Sequence, residues 1–419
     1  MLVLPAFRPA ALIERLDTLE SWSGTPEQIA RDEDFWSEVQ HAFTVDRSLV
    51  NLNNGGVSPS PAIVQESMKK HLDFSNQAPV YNMWRILEPR REGVRQQIAR
   101  FFKCDPEEIA LTRNASEGLQ IAQFGFDLTA GDEVLTTNQD YPRMINTFLQ
   151  RQRREGIVLK TFSLPVPAED AAEVVRLFEE QITERTRLIL MCHVINLTGQ
   201  ILPVREVVAM ARRKGIPVVV DGAHSFAHFE FAQPDLGCDY FATSLHKWLL
   251  APHGTGLLYV KRDRVGDLWP LQAAAEKQDN DIRKFEEIGT HPAANYLSIS
   301  EALAFHQGIG SKRKQERLRY LTQYWAEKVL PIDGVRLHTS LREGLSCAIA
   351  TVQIEGVDSG DLASHLWTEH RIIVTPIKHD EFEGIRVTPN VYTTLDELDR
   401  FVESMQRVAR QGVGNAGSG

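Results

Sequence analysis

Apolar and polar residues follow two patterns between about Pro61 and Lys261. Stretches with apolar residues every three or four positions read as helices: "AIVQESMKKHLDF" (62–74), "EPRREGVRQQIARFF" (88–102), "PRMINTFLQRQRREG" (142–156), "AAEVVRLFEEQI" (171–182) and "VREVVAMARRKG" (204–215). Between and after them lie short runs rich in β-branched residues: "EVLTT", "RLILMCHV", "IPVVVD", "YFATSL" and "GLLYVK". In "VVV" and "LILM" consecutive residues are apolar, so both faces of each strand must be covered. The alternation predicts βαβ units and a mainly parallel, doubly wound sheet.

The pattern changes after about Leu297. A long charged helix, "SKRKQERLRYLTQYWAEKVL" (311–330), precedes the runs "CAIATVQIE" and "IIVTPI" and a last helix, "LDELDRFVESMQRVARQ" (395–411). Strands that alternate sides beside helices suggest a smaller α+β domain. The expected division is an N-terminal segment 1–50 packing on that smaller domain, a large domain 51–296 and the small domain 297–419. Within the first segment "PEQIARDEDFWSEVQHAF" (26–43) reads as one helix, and the closing "QGVGNAGSG" as a frayed tail.

In such sheets ligands bind beyond the carboxyl ends of the strands, which selects the polar residues that follow each apolar run. These are Tyr141 in "NQDYPR", Asn196 in "NLTG", Asp221 and His224 in "DGAHS", and Ser244, His246 and Lys247 in "SLHK". "LTRNASEGLQ" starts a helix at Asn114, Ala115 and Ser116, where free N–H groups and the helix dipole favour an anion. Lys247 raises a question, because it stands among Leu245, Trp248, Leu249 and Leu250, and a buried, unpaired ammonium is costly. A phosphate, an aromatic ring, a basic ring nitrogen and a carbonyl that captures a lysine would use the whole set, and together they make pyridoxal 5'-phosphate. Lys247 would then carry the Schiff base. Asp221 would face the ring nitrogen, Tyr141 would stack on the ring, and Ala115, Ser116 and Ser244 would hold the phosphate.

Asp221 and Lys247 lie 26 positions apart, and with "SLHK" and the trailing "GTG" they resemble the class V aminotransferase group of fold type I enzymes. "DGAHS", "NQDYPR" and "HVINLTGQILPV" are most similar to isopenicillin N epimerase-like proteins, and more distantly to cysteine desulfurases. The resemblance runs from about Leu52 to Thr394. It implies that Asn196 contacts the ring oxygen, that His224 lies beside the ring and that His246 approaches the phosphate. It implies a homodimer, with Gly289 and Thr290 of "EEIGTHPAANY" reaching the phosphate of the partner subunit. It also implies that Arg386 in "GIRVTPNVYTT" clamps a substrate carboxylate, with Asn54 and Gly55 of "NLNNGGVSPSP" on the substrate side.

Composition narrows the partners. A formal net charge of -10 argues against nucleic acid or anionic membrane and for a small amino-acid substrate. Cys104, Cys192, Cys238 and Cys347 form no CxxC pair, which fits free thiols in the cytoplasm. "MLVLPAF" is cut too short by Pro5 and Arg8 for a secretory segment, and no run approaches a membrane span. The histidines lack metal-ligand spacing, so a metal hydrolase is disfavoured, and a non-catalytic binding protein would not need both Lys247 and Asp221. The expected activity is epimerisation at the Cα of an amino acid or amino-acid side arm, with β-elimination of a carbon-sulfur bond or transamination as alternatives.

Overall fold

The computed structural model describes residues 22–413. The N-terminal apolar run and most of the closing tail lie outside these residues. A short strand β1 (Val50–Asn51) leads into the helix Ala62–Gln77, and a long helical stretch ends in Arg91–Phe102. Seven strands follow: β2 (Ile109–Thr112), β3 (Glu133–Thr137), β4 (Val158–Phe162), β5 (Thr186–Cys192), β6 (Val218–Asp221), β7 (Tyr240–Ser244) and β8 (Gly256–Val260). They form one sheet in the order β2-β8-β7-β6-β5-β3-β4. Only β8 runs against its neighbours.

Neighbouring residues of one strand enter different apolar clusters. Ile189, Met191, Val218, Val220 and Phe241 pack on one side of the sheet. Leu188, Leu190, Val219, Tyr240 and Ala242 pack on the other. That double covering is what the consecutive apolar residues demand. Two strands escape the sequence pattern. β2 is only four residues long and runs into "LTRNAS", and β4, "VLKTF", is half-exposed along its length at the sheet edge.

A second sheet, β12-β13-β10-β9, contains β9 (Val335–Leu337), β10 (Ala350–Ile354), β12 (Thr375–Lys378) and β13 (Glu383–Val387), while β11 (Ile372–Ile373) pairs in parallel with β1. The helices Ser311–Val329, Ser359–His370 and Leu395–Gln411 share its core, in which Leu398, Phe401, Met405 and Val408 are buried. Each such side chain contributes about 1.5–3 kcal/mol on burial. The run "CAIATVQIE" becomes strand only from Ala350, and "IIVTPI" is split at Val374. The helix expected over 26–43 is also broken, into Pro26–Ile29 and Glu33–Gln40. Asp32 interrupts it by capping the second helix through Asp34 N–H and Phe35 N–H. Apolar side chains of these two helices pack with Trp248 and Leu250 as well as with Leu318 and Cys347, so this segment touches both sheets' surroundings.

Candidate active site

The loops after β3, β5, β6 and β7 and the start of the helix Ala115–Gly125 open into one cleft of about 690 Å³, counting its mouth. Two glycines allow the close packing next to it. A Cβ on Gly256 would lie 2.6 Å from Asn114 Cα, so only glycine lets the helix start come this close to β8, and one on Gly222 would lie 2.0 Å from Phe241. Asn114 caps the helix by accepting from Glu117 N–H at 2.9 Å, and Ala115 N–H donates to Ser244 Oγ at 2.9 Å. The helix start at Asn114, Ala115 and Ser116, together with Ser244, therefore lines the cleft and brings the Ser116 and Ser244 hydroxyls to it.

At the other end Lys247 Nζ lies 3.0 Å from His224 Nε2. Burial lowers the amine to about 8, against the pull of Asp221, and it drives the His224 imidazole well below its ordinary value. Burial raises Asp221 to about 6, although Ala223 N–H donates to its carboxylate at 2.9 Å and Lys247 favours its charge. The acid and the base are thus each held near neutrality by exclusion of water. His246 Nδ1 donates to the Thr255 carbonyl at 3.0 Å, and burial lowers its imidazole to about 4. It could donate from Nε2 as well only as an imidazolium, which an adjacent phosphate would favour.

Arg386 sits on β13, an interior strand rather than the edge, and is 6% exposed. Its guanidinium donates to the Asn196 carbonyl at 2.9 Å and to Asn53 Oδ1 at 3.1 Å, and burial lowers it to about 10. Among the buried polar atoms that have no partner within the described residues are Asn196 Oδ1, His224 Nδ1 and Arg386 Nε. Such atoms are costly unless something fills the space beside them.

Ala115, Ser116, Tyr141, Asn196, Asp221, His224, Ser244, His246 and Lys247 all line the cleft. Asn54, Gly55 and Arg386 are not among the residues that line it, and a Cβ on Gly55 would lie 3.6 Å from Arg386 Cζ, so this loop adjoins the arginine. The Asn54 amide is used up inside the loop, donating to the Asn51 and Thr388 carbonyls and accepting from Asn51 Nδ2 and Tyr392 Oη, while Gly55 N–H donates to Thr388 Oγ1. Gly56 lines the cleft in their stead. Gly289 and Thr290 are exposed and border a separate groove with Met83, Trp84 and Tyr296, away from this chain's own cleft. Cys192, Val194, Ala223 and Arg143 also line the cleft. Each adjoins a residue or strand end that sequence reasoning had reached, so their positions were the available signal. Asn53, 333 positions from the Arg386 it holds, gave none, and Thr375 meets Arg386 only through the pairing of β12 with β13.

The fit to pyridoxal 5'-phosphate rests on this chemistry: a dipole-backed anion cup, a water-excluded amine and a carboxylate placed for a basic ring nitrogen. Fold and site together define a fold type I pyridoxal phosphate enzyme, and the chain belongs to the aminotransferase class-V family, which it matches over residues 50–400. It is 29% identical over 394 residues to isopenicillin N epimerase of Amycolatopsis lactamdurans, with 90% of this chain and 99% of that protein covered. It is 26% identical over 388 residues to a probable cysteine desulfurase of Synechocystis sp., with 86% and 91% covered. Among solved structures it is similar to C-DES carrying glycine covalently linked to its PLP cofactor (TM-score 0.78, 23% identity, 88% and 98% covered). A cysteine desulfurase from Thermococcus onnurineus NA1 superposes equally well (TM-score 0.78, 20% identity, 89% and 98% covered). At these identities the two structures show the shared fold.

Proposed function

We propose that this enzyme moves the Cα proton of an amino acid or amino-acid side arm and returns it with inversion, in the manner of its isopenicillin N epimerase relatives. Bound pyridoxal phosphate would supply an electron sink for the Cα carbanion. The observation that carries the reading is the 3.0 Å pair of Lys247 Nζ and His224 Nε2 beside Asp221, with the amine lowered to about 8. An amine at that value is half-deprotonated at about pH 8, so a free-base fraction is present near physiological pH, and the protonated Nζ donates a hydrogen bond to His224 Nε2. Asp221 would hold the ring-nitrogen end, and the Ala115–Ser116 N–H groups with Ser244 the phosphate end.

Arg386, with Nε unpartnered and no carboxylate bonded to it among the described residues, is the proposed clamp for the substrate carboxylate. Arg386→Ala should raise KM for carboxylate-bearing substrates about 10- to 100-fold and leave amines lacking that group unaffected. Steady-state kinetics on matched substrate pairs checks this, and equal effects on both would remove Arg386 from the role.

Carbon-sulfur cleavage is the second reading, favoured by the desulfurase relatives. The thiols speak against a persulfide-carrying cysteine. Burial pushes Cys104, Cys238 and Cys347 up to about 12 and Cys192 well above its ordinary value, so none is a ready thiolate. A variant with all four cysteines replaced by Ser or Ala should therefore retain at least about half of its turnover. The deciding experiment follows a panel of amino acids in deuterated water by NMR. Deuterium at Cα with inverted product supports the proposal, whereas accumulation of keto acid or released sulfur would refute it.

A homodimer is part of the proposal. Val80 (66% exposed), Tyr81 (63%) and Trp84 (51%) leave an apolar strip beside the Gly289–Thr290 groove, a surface that a second copy would cover. The partner would then supply its Gly289 and Thr290 to this cleft. Among the described residues no helix is long and apolar enough to cross a membrane.

A further inference from the structure

His228 lies four residues beyond His224 and is 1% exposed, with both ring nitrogens engaged. The main-chain N–H of Ala348 donates to Nε2 at 2.9 Å, so Nε2 carries no proton. Nδ1 must then carry it, and it donates to the His224 carbonyl at 2.7 Å. Two neighbours thus fix one tautomer, and burial lowers the imidazole to about 3, which keeps it neutral. Its ring lies flat on the indole of Trp248, centroids 3.8 Å apart and planes 6° apart, and Trp248 is the residue after Lys247. The chain turns His228 inward through Ala227, which adopts φ 58°, a left-handed conformation that residues with a Cβ disfavour. The wholly buried Lys314 donates to the Trp248 carbonyl.

His224 and Lys247 stand on different loops, after β6 and β7, so their 3.0 Å contact depends on how those loops sit against each other. His228 touches both, one through a hydrogen bond and the other through its ring face. We propose that His228 is a positioning residue, a neutral single-tautomer strut that ties the His224 main chain and the Trp248 ring to Ala348, two residues before β10, and so holds His224 Nε2 against Lys247 Nζ. The inference rests on the reading of Lys247 as the cofactor's lysine.

The test compares holoenzyme variants. His228→Phe keeps a flat ring on Trp248 but leaves the His224 carbonyl and Ala348 N–H unpaired. His228→Asn restores an amide N–H near the Nδ1 position. His228→Phe should retain cofactor and lower kcat about 10- to 100-fold with KM little changed. It should also move the midpoint of the pH titration of the cofactor's visible band by at least roughly half a unit. His228→Asn should recover most of that band shift. Wild-type kcat and midpoint in His228→Phe, or no recovery in His228→Asn, would overturn the proposal. Should His228→Phe fail to fold, nitrogen-15 NMR of histidine-labelled wild-type holoenzyme decides. It should show His228 neutral with its proton on Nδ1 from about pH 5 to 9, and a protonated ring or an Nε2–H tautomer in that range would overturn the assignment. Cofactor attached at another lysine would overturn the reading of Lys247 itself, and this proposal with it.

Discussion

Lys247→Ala is expected to eliminate covalent cofactor and to lower turnover by at least about 10³-fold, because the covalent anchor and the Cα base are lost together. The fold should survive, since β7 ends at Ser244 and no backbone hydrogen bond requires the amine. Borohydride reduction followed by peptide mapping of the wild-type protein provides the positive control, and label on a different lysine would displace Lys247. The cofactor-free variant should be more stable than cofactor-free wild type at pH 7. The native amine is held at about 8 against an ordinary 10.5, so the unfolded chain binds that proton more tightly. The resulting deficit is complete below about 8 and fades as pH rises toward 10.5. Removing the amine should relieve about 1–3 kcal/mol, reduced by the pairing that Asp221 loses. Thermal unfolding of the apoproteins at pH 7 and pH 10.5 measures both the gain and its disappearance.

Asp221→Asn should leave cofactor bound and lower kcat about 10²- to 10³-fold, because an amide cannot neutralise a protonated ring nitrogen. The carboxylate already bears a penalty in this site: burial raises it to about 6, and Ala223 N–H together with Lys247 offsets only part of that. A buried acid retained at such a penalty is expected where a cation is to be bound beside it. Absorbance titration separates cofactor occupancy from turnover. An Asn variant with near-normal kcat would show that Asp221 does not face the ring nitrogen.

The residues on the large sheet were legible because strand ends are marked locally. Consecutive apolar residues identify β5, β6 and β7 as doubly covered, and the polar residue after each run is then forced to the carboxyl rim. Asp221, Ser244 and Lys247 follow from that logic alone, and Ala115 and Ser116 from the helix-start pattern. The substrate side was less legible. Asn54 looks like a free amide in "NLNNGG", yet Tyr392 and Thr388, more than 300 positions away, use it up. Arg386 was assigned from the resemblance alone, and only the flanking of β13 by β12 and β10 shows how it is buried.

The sequence by itself determined the alternation of strand and helix, the doubly covered sheet and the places of Asp221 and Lys247 at or after strand ends, because each depends on periodicity or on residues adjacent in the chain. Only the tertiary structure decided the approach of His224 to Lys247, the holding of Arg386 by Asn53 and Asn196, and the contact of His228 with both catalytic loops. Apart from the local His228–His224 bond, those contacts join residues 20 to more than 300 positions apart, and burial lowers the amine and raises the acid only once the chain has closed around them.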